Sequence, residues 1–533
     1  MRHVKTLGLA WVSLGLAVLL TGCLGGSDRP QRRPGSAIWL GSPAATDGEG
    51  PGAGLTPEVL GRLGDLGVGD FFLPFGRLRW AEEAPRVSFP GAVKLPRRTA
   101  VTLVIEGVWE DPSESPKRAG AALATEIQRA ELEARSRGLL PGGIHLELRG
   151  ARRPPDLSLL GEALAHCRRK MSPELLLSVG LRGSWLSKEG AGEVAAAADF
   201  LVAWLYGQRP RDLRRSGILD DRWNLSRIDQ VLDELEALKT PYLVGVVTLG
   251  SALHRDRGGE VQAITHTGDL ESLVLSRAFK LSGGFVLSAA DCRRYDFEVL
   301  RAGRFGGWSL DTGETVTVVG LTPSLLEKYL RQREALELRY WLGELFFRMP
   351  SPEDAFSLGP EGLAAAFGRL PVEQALVGRV EEWRTRGRSY VLRVSVENRL
   401  PEATEISTLD SNFLEVTVPG GWFGSVAPGD FHRYQLLRRS ADGTLTPTLR
   451  RPDVLRLYRP ILGAGRKVES GSVAVYLGGG PAEPSLGGRF LLASGSFLEV
   501  SQALPEAGEA PEADGAPEGA SEPGGVTAGQ RSP

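Results

Sequence analysis

The chain has 533 residues, too many for one average domain, and this length predicts two folded units with tails. An apolar fraction of 42% and a charged fraction of 24% are typical of a globular protein with a sizeable core. The formal net charge of −2 excludes a strongly basic nucleic-acid binder. Three cysteines exclude a disulfide framework and an all-cysteine zinc site, and six histidines restrict metal chemistry further. We therefore expect no metal and no other cofactor.

The N-terminal residues predict a lipoprotein signal peptide over 1–22. Basic residues between Arg2 and Lys5 precede an apolar stretch, 7–20, that is too short for a comfortable membrane span. This stretch runs into Leu-Thr-Gly-Cys, which resembles the bacterial lipobox and would make Cys23 the lipidated residue. Acyl chains such as palmitate would then anchor the protein to a membrane without a spanning helix. The alternative is an ordinary secretory signal with a chance cysteine.

Both ends of the mature chain have the composition of solvated segments. Residues 23–36 are rich in Gly, Pro and Arg and predict a flexible tether. Residues 503–533 are acidic, contain almost no large apolar side chains and predict a disordered tail, either an interaction segment or a spacer. Gly25 is not an acidic retention signal, so the expected location is the bacterial cell envelope, in the outer membrane where the organism has one.

The two remaining cysteines leave two possibilities open. Cys167 and Cys292 would be able to pair in an oxidising envelope compartment. Two separate buried thiols are the preferred alternative, since no second pair indicates a framework.

Short apolar strands alternate with amphipathic helices over 37–321. The predicted strands are 37–40, 70–74, 100–106, 144–148, 175–181, 200–204, 242–248 and 284–287. Several are almost entirely apolar, which indicates burial on both faces as in a parallel sheet. Eight such units predict a (β/α)8 barrel. A doubly wound open sheet is the alternative, but no Gly-rich phosphate loop follows the first strand.

The pattern changes in the last third of the chain. Residues 322–374 are helical in propensity and predict a linker. Residues 375–502 alternate apolar and polar side chains, with Gly and Pro at the turns, which is typical of antiparallel strands. We expect an all-β sandwich domain here.

Four stretches carry a family resemblance. They are GGIHLELRGARRPPDLSLLGEALAHCRRKMSPELLLSVGLRGSWL (142–186), AIWLGSPA (37–44), TPYLVGVVTLGSAL (240–253) and YVLRVSVENRLPEAT (390–404). Together they resemble the domain of unknown function 3142 family of bacterial lipoproteins, over most of 37–430. The resemblance implies a barrel related to glycoside hydrolases. The activity of the family itself is not established.

The chain departs from that family's pattern at chemically important positions. The acidic triplet of the fourth strand becomes His145, Glu147 and Arg149, so only the middle acid survives. A tyrosine of the seventh-strand motif is Leu249, whereas the tryptophan Trp185 is retained. These departures favour a non-catalytic binding or scaffold protein built on a decayed barrel.

The polar residues of the fourth strand nevertheless form a candidate site. His145, Glu147 and Arg149 share one strand face because side chains alternate along a strand. Either Glu147 is an acid/base or ligand-contacting group tuned by Arg149 or His145, or it forms an internal pair with Arg149. Glu106 ends the neighbouring third strand. Glycoside hydrolysis needs two carboxyl groups, about 5 Å apart for retention or about 6.5–9.5 Å for inversion, so Glu106 and Glu147 are the candidate catalytic pair.

Aromatic residues at or near predicted strand ends are candidate sugar-binding groups: Trp39, Trp109, Trp185, Trp204 and Tyr206. Their rings would pack on the apolar face of a pyranose. The alternative is that several are core or rim packing.

Two other clusters have weaker patterns. Trp422 and Phe423 follow two glycines, where a turn would expose a ring unless it packs between the sheets. His254, Asp256 and His266 have a spacing that fits no standard zinc site. The sequence thus predicts an envelope lipoprotein whose glycoside-hydrolase-like barrel engages carbohydrate, or else a non-catalytic binding or scaffold lipoprotein, with no nucleic-acid partner.

Overall fold

The computed structural model describes residues 35–41, 55, 57–81, 84–89, 95, 99–111, 115–150, 155–205, 228–266, 268–282, 286–287, 293–349, 358–368, 375–386, 389–400, 403–407, 410–463, 465–478, 483–492 and 497–502. The predicted signal peptide, Cys23, the tether up to residue 34, Tyr206, Cys292 and the acidic tail lie outside these residues. In the described part, no helix combines the length and the apolar character needed to cross a membrane.

The first half of the chain alternates strands and helices. The strands are β1 (Ser36–Leu40), β2 (Val68–Ala81), β3 (Ala84–Ser88), β4 (Ala100–Trp109), β5 (Leu140–Gly150), β6 (Leu176–Arg182), β7 (Phe200–Trp204) and β8 (Tyr242–Val247). The helices are α1 (Pro57–Asp65), α2 (Pro116–Ser136), α3 (Leu157–Lys170), α4 (Gly183–Leu186), α5 (Ala191–Ala197) and α6 (Ile228–Ala237). Every strand except β3, which extends β2 as a hairpin, pairs in parallel with its neighbours. The first seven predicted strands are confirmed.

An insertion leaves the barrel after β8. It contains β9 (Ser251–Arg255), β10 (Val261–Thr265), α7 (Leu270–Leu275), β11 (Phe279–Leu281), β12 (Val286–Leu287), β13 (Arg293–Val299), β14 (Gly303–Phe305), β15 (Trp308–Leu310) and β16 (Thr315–Gly320). The main sheet is antiparallel, in the order β10-β9-β16-β13-β11, with β12 paired to β13. The prediction of an eighth barrel strand at 284–287 is therefore wrong, because a short apolar run does not distinguish parallel from antiparallel pairing.

The barrel closes with elements from the segment expected to be a helical linker. These are α8 (Pro323–Glu334), β17 (Trp341–Met349) and α9 (Pro360–Ala366). Strand β17 pairs in parallel with both β8 and β1, and β1 pairs with β2, so eight parallel strands form a closed ring. The (β/α)8 barrel is confirmed, but it extends past residue 321 and the linker prediction for 322–374 is wrong.

A buried ion pair explains why β17 was missed. Glu344 interrupts an otherwise apolar strand and is almost completely buried. Arg333 of α8 places Nε 3.0 Å from its Oε1, and the Ser36 hydroxyl donates to Oε2 over 3.1 Å. Burial still raises the pKa of Glu344, against the opposing effect of Arg333. A charge in a barrel strand is tolerated here because a residue of the preceding helix pairs with it.

The C-terminal strands form two antiparallel sheets. They are β18 (Leu376–Arg386), β19 (Ser389–Asn398), β20 (Phe413–Thr417), β21 (Gly421–Val426), β22 (Arg433–Arg439), β23 (Leu445–Pro447), β24 (Val454–Tyr458), β25 (Lys467–Glu469), β26 (Val473–Leu477), β27 (Ser485–Leu491), β28 (Phe497–Glu499) and β29 (Ser501–Gln502). One sheet has the order β21-β26-β19-β18-β29 with β25 on β19, and the other β23-β22-β24-β20-β27-β28. Buried side chains from both sheets, such as Leu392 and Leu455, share one core, so the predicted β-sandwich is confirmed.

The sandwich packs against the insertion. Ile406 and Ile461 from the sandwich side join the core of the insertion sheet, where Phe297 is buried. Glu271 at the start of α7 forms a largely buried ion pair with Arg459. The barrel, the insertion that grows from its mouth and the sandwich are therefore connected by buried contacts.

Candidate functional site

The barrel mouth is formed by the carboxyl ends of the parallel strands, where ligands of this fold bind. On β5, Leu146 packs in the core between strands and helices, so its neighbours in the alternating pattern face the lumen. His145 is fully buried there. Glu147 lies two residues nearer the mouth, and 24% of its side chain is exposed. Arg149, two residues further, is exposed. The shared face predicted for these three residues is confirmed.

Aromatic rings fill the lumen below Glu147. The Trp39 ring centroid lies 6.3 Å from that of Phe72, 5.6 Å from that of Trp204 and 5.2 Å from that of Phe347. The His145 ring meets Trp39 edge-on at 5.8 Å. These contacts make the lumen a packed core and leave the mouth as the place for chemistry.

A chain of polar contacts fixes the Glu147 carboxylate. The Trp204 indole N–H donates to Oε2 of Glu147 over 2.6 Å. His145 Nε2 lies 3.4 Å from the same oxygen, and His145 Nδ1 lies 3.0 Å from the Ser178 hydroxyl. Within the described residues, Oε1 of Glu147 has no hydrogen-bond partner. One oxygen is therefore held from inside the barrel, and the other is free for a ligand at the mouth.

Two strand glycines make room for this arrangement. A Cβ atom on Gly180 of β6 would collide with Oε2 of Glu147 and lie 3.0 Å from its Cδ. A Cβ on Gly245 of β8 would lie 2.6 Å from Cζ3 of Trp204. Neither glycine is among the predicted site residues, although a glycine inside an apolar strand often marks a close approach by another group.

Glu106 lies beside Glu147 at the mouth. The two residues are register partners on the parallel strands β4 and β5, and Val104, two residues before Glu106, belongs to the luminal core. Burial raises the pKa of Glu106, and the charge of Glu147 raises it further. Arg77 and Arg149 act in the opposite direction. The prediction that Glu106 and Glu147 end neighbouring strands is confirmed.

The internal pair between Glu147 and Arg149 is not what the structure shows. Among the described residues, the side chains in polar contact with the Glu147 carboxylate are His145 and Trp204, and Arg149 is exposed. Arg149 instead lies within electrostatic range of Glu106, as does the exposed Arg77 of β2. The mouth thus has two carboxyl groups with two guanidinium groups near one of them.

The aromatic sugar-binding prediction is wrong for four of its residues. Trp39, Trp109, Trp185 and Trp204 are at most 6% exposed, so no ring presents a face to a ligand. Trp39 and Trp204 pack inside the lumen, whereas Trp109 and Trp185 belong to the core between strands and helices. The alternative interpretation, core packing, is confirmed for these four. Tyr206 lies outside the described residues.

The predicted role of His145 as a ligand-contacting residue is also corrected by the structure. Its ring is fully buried between Ser178 and Glu147, so it cannot contact a ligand at the mouth directly. It acts instead as a positioning group, because it holds the Glu147 carboxylate from below. Arg149 remains an exposed candidate for direct contact.

The loose cluster of His254, Asp256 and His266 divides into separate local contacts. His254 Nε2 lies 2.8 Å from Oε2 of Glu314, and His266 Nδ1 lies 2.7 Å from the Ser251 hydroxyl. Asp256 accepts backbone N–H groups of its own turn, which lowers its pKa. No group of three or more His, Cys, Asp or Glu side chains arranged for a metal occurs among the described residues.

Cys167 is a buried free thiol on α3. Burial raises its pKa to about 12, so the reactive thiolate is suppressed at neutral pH. Its possible partner Cys292 lies outside the described residues.

Comparisons with known proteins find structural similarity alone. No family model and no curated protein matches the chain. The chain is similar to the Bacillus cereus spore cortex-lytic enzyme SleL, at 12% identity over 64% of this chain and 75% of that chain, with a TM-score of 0.39. It is also similar to a glycoside hydrolase family 18 N-acetylglucosaminidase from Paenibacillus barengoltzii, at 13% identity over 59% and 95%, with a TM-score of 0.36. A tamarind chitinase-like lectin matches at 9% identity over 59% and 94%, with a TM-score of 0.29.

Proposed function

We propose that the barrel mouth binds a carbohydrate and that Glu106 and Glu147 are the polar groups that contact it. The observation that carries the proposal is the pair itself: two glutamates at register positions on neighbouring strands, one with a raised pKa and one fixed by Trp204. Carboxyl groups accept hydrogen bonds from sugar hydroxyls, and a protonated one also donates. The pair stands at the end of the barrel where ligands of this fold bind.

The same pair supplies the groups that glycoside hydrolysis requires. The raised pKa of Glu106 keeps its proton available for the leaving glycosidic oxygen. Glu147 would then attack or stabilise the anomeric carbon, and water would complete the cleavage.

One observation favours a second candidate, binding without cleavage. Oε2 of Glu147 already accepts the Trp204 N–H over 2.6 Å, so a substrate would have to compete with the indole for that oxygen. Arg149 also stands where the family resemblance implies an acid. A barrel with these features would recognise a glycan without hydrolysing it.

We also propose that the protein is anchored in the cell envelope through lipid on Cys23. The support is the leader sequence, with its basic start, short apolar stretch and terminal Leu-Thr-Gly-Cys. Cys23→Ser should release the protein from the membrane fraction into the soluble fraction. Retention of the Cys23→Ser variant in the membrane fraction would contradict the anchor.

A glycan-array screen of the full-length protein tests the proposed site. Each bound glycan is then incubated with the protein and analysed for cleavage by mass spectrometry. Glu147→Gln and Glu106→Gln are compared with Glu174→Gln, an exposed glutamate in the turn before β6 at the opposite end of the barrel.

The outcomes separate the two candidates. Cleavage that both mouth variants lose and Glu174→Gln retains would establish a glycosidase. Binding that is weakened by Glu147→Gln, with no cleavage by the unmodified protein, would establish a recognition barrel. No bound glycan, or equal binding by all variants, would contradict the site.

A further inference from the structure

The outer face of one sandwich sheet carries two opposed aromatic side chains. Trp422 of β21 and Tyr476 of β26 are register partners, with ring centroids 5.8 Å apart and planes inclined by 18°. The adjacent residues Phe423 and Val475 are buried in the sandwich core, so Trp422 and Tyr476 face outward. Phe423 therefore packs between the sheets, whereas Trp422 lies on the outer surface of a strand.

The two rings are stacked, and each approaches a glycine on or next to the other's strand. A Cβ on Gly424 would lie 2.7 Å from Cε2 of Tyr476, and one on Gly478 would lie 3.7 Å from Cζ3 of Trp422. Tyr476 is 39% exposed in this position, and Trp422 is partly exposed. The result is a stacked aromatic pair that is partly open to solvent, and we refer to it as the aromatic surface.

Two arginines border this aromatic surface. The Arg451 guanidinium lies 5.1 Å from the Trp422 ring centroid, in a cation–π contact. The backbone N–H of Phe423 donates to the Pro452 carbonyl over 2.8 Å, which holds the arginine-bearing loop against β21. Arg450 and Arg451 are exposed, and neither has an acidic partner among the described residues. The border of the aromatic surface is thus positively charged, and no acidic side chain of the described residues neutralises it.

We propose that Tyr476, Trp422 and Arg451 form a binding site for an acidic polysaccharide, separate from the barrel mouth. A pyranose ring packs its C–H face on the flat Tyr476 ring, and a sugar carboxylate accepts hydrogen bonds from Arg451. The positive border favours an acidic over a neutral sugar by charge complementarity. A single-stranded nucleic acid would use similar contacts and is therefore one of the outcomes that the binding experiment separates. The site does not depend on the proposed function of the barrel.

Binding of alginate oligosaccharides to the full-length protein tests this site by calorimetry. Tyr476→Ala removes the stacking surface, and Arg451→Gln removes the charge. The matched controls are Tyr434→Ala and Arg438→Gln, since both residues are exposed on β22 of the other sheet and Tyr434 is 41% exposed. Neutral dextran and single-stranded DNA serve as competing probes, and thermal unfolding verifies that each variant is folded.

The expected result is that alginate binds and dextran does not, with Tyr476→Ala weakening the affinity roughly 5–10-fold and Arg451→Gln weakening it as well. The control variants and Glu147→Gln should bind like the unmodified protein, which separates this site from the barrel mouth. Absence of alginate binding, or equal loss in Tyr434→Ala and Tyr476→Ala, would overturn the proposal. Tighter binding of single-stranded DNA than of alginate would overturn it in favour of a nucleic-acid surface.

Discussion

Replacing Gly180 by alanine tests how the barrel mouth is built. The added Cβ would collide with Oε2 of Glu147 and lie 3.3 Å from Nε1 of Trp204. The carboxylate would have to move, and its 2.6 Å hydrogen bond from Trp204 would be lost. The variant therefore perturbs the proposed site without changing any of its functional groups.

The expected cost follows from two contributions. Loss of a hydrogen bond to a charged group costs about 1.5–3 kcal/mol, and overpacking of a filled core costs about 1–3 kcal/mol. Replacement of a strand glycine by alanine returns about 0.5–1 kcal/mol of backbone entropy. We therefore expect Gly180→Ala to lower the free energy of unfolding by roughly 2–5 kcal/mol.

Urea denaturation followed by circular dichroism measures this difference. Gly69→Ala is the matched control, because Gly69 lies in barrel strand β2 and a Cβ there would meet no atom within 4 Å. In a Trp204→Phe background the cost of Gly180→Ala should fall, since the indole hydrogen bond is already absent. Equal stability of Gly180→Ala and Gly69→Ala, or an unchanged cost in the Trp204→Phe background, would refute the reasoning.

Three further results are expected. Burial and the charge of Glu147 raise the pKa of Glu106, so its protonation favours folding below the ordinary value of 4.5, and this stability is lost as the pH rises through the raised pKa. In thermal melts, Glu106→Gln should show a flatter dependence of stability on pH and should be more stable than the unmodified protein at neutral pH. A steeper dependence in Glu106→Gln would contradict this linkage. Arg333→Ala should cost about 3–5 kcal/mol in urea denaturation by leaving Glu344 buried without its cation, whereas Arg331→Ala on the exposed side of α8 should change little; equal costs would contradict the pairing. Cys167 should react with a thiol reagent only after unfolding, and rapid labelling of the native protein would contradict its burial.

The barrel strands that consist of continuous apolar residues could be predicted from the sequence. The first seven strands are apolar runs of the right length, and burial on both faces leaves little else for them to form. The last strand, β17, contains Glu344, whose charge argues against a barrel interior until Arg333 is placed beside it. That pairing depends on how α8 packs against β17, and the sequence of the strand alone does not indicate this packing.

The candidate site was predictable where it depends only on the positions of the strands. Register in a parallel sheet brings Glu106 and Glu147 together once the strands are identified. The hydrogen bond from Trp204 was not predictable, because it needs the space left by Gly180 on the intervening strand β6. Trp109 was misassigned because a position near a strand end does not reveal which face of the strand the ring occupies.

The most direct test of the central proposal is a calorimetric titration of the best glycan from the array into unmodified protein, Glu147→Gln and Glu174→Gln. If the barrel mouth is the binding site, the Glu147→Gln variant should bind at least tenfold more weakly, about 1.4 kcal/mol, while Glu174→Gln binds like the unmodified protein. Equal affinities for all three proteins would contradict the assignment of the barrel mouth as the carbohydrate site.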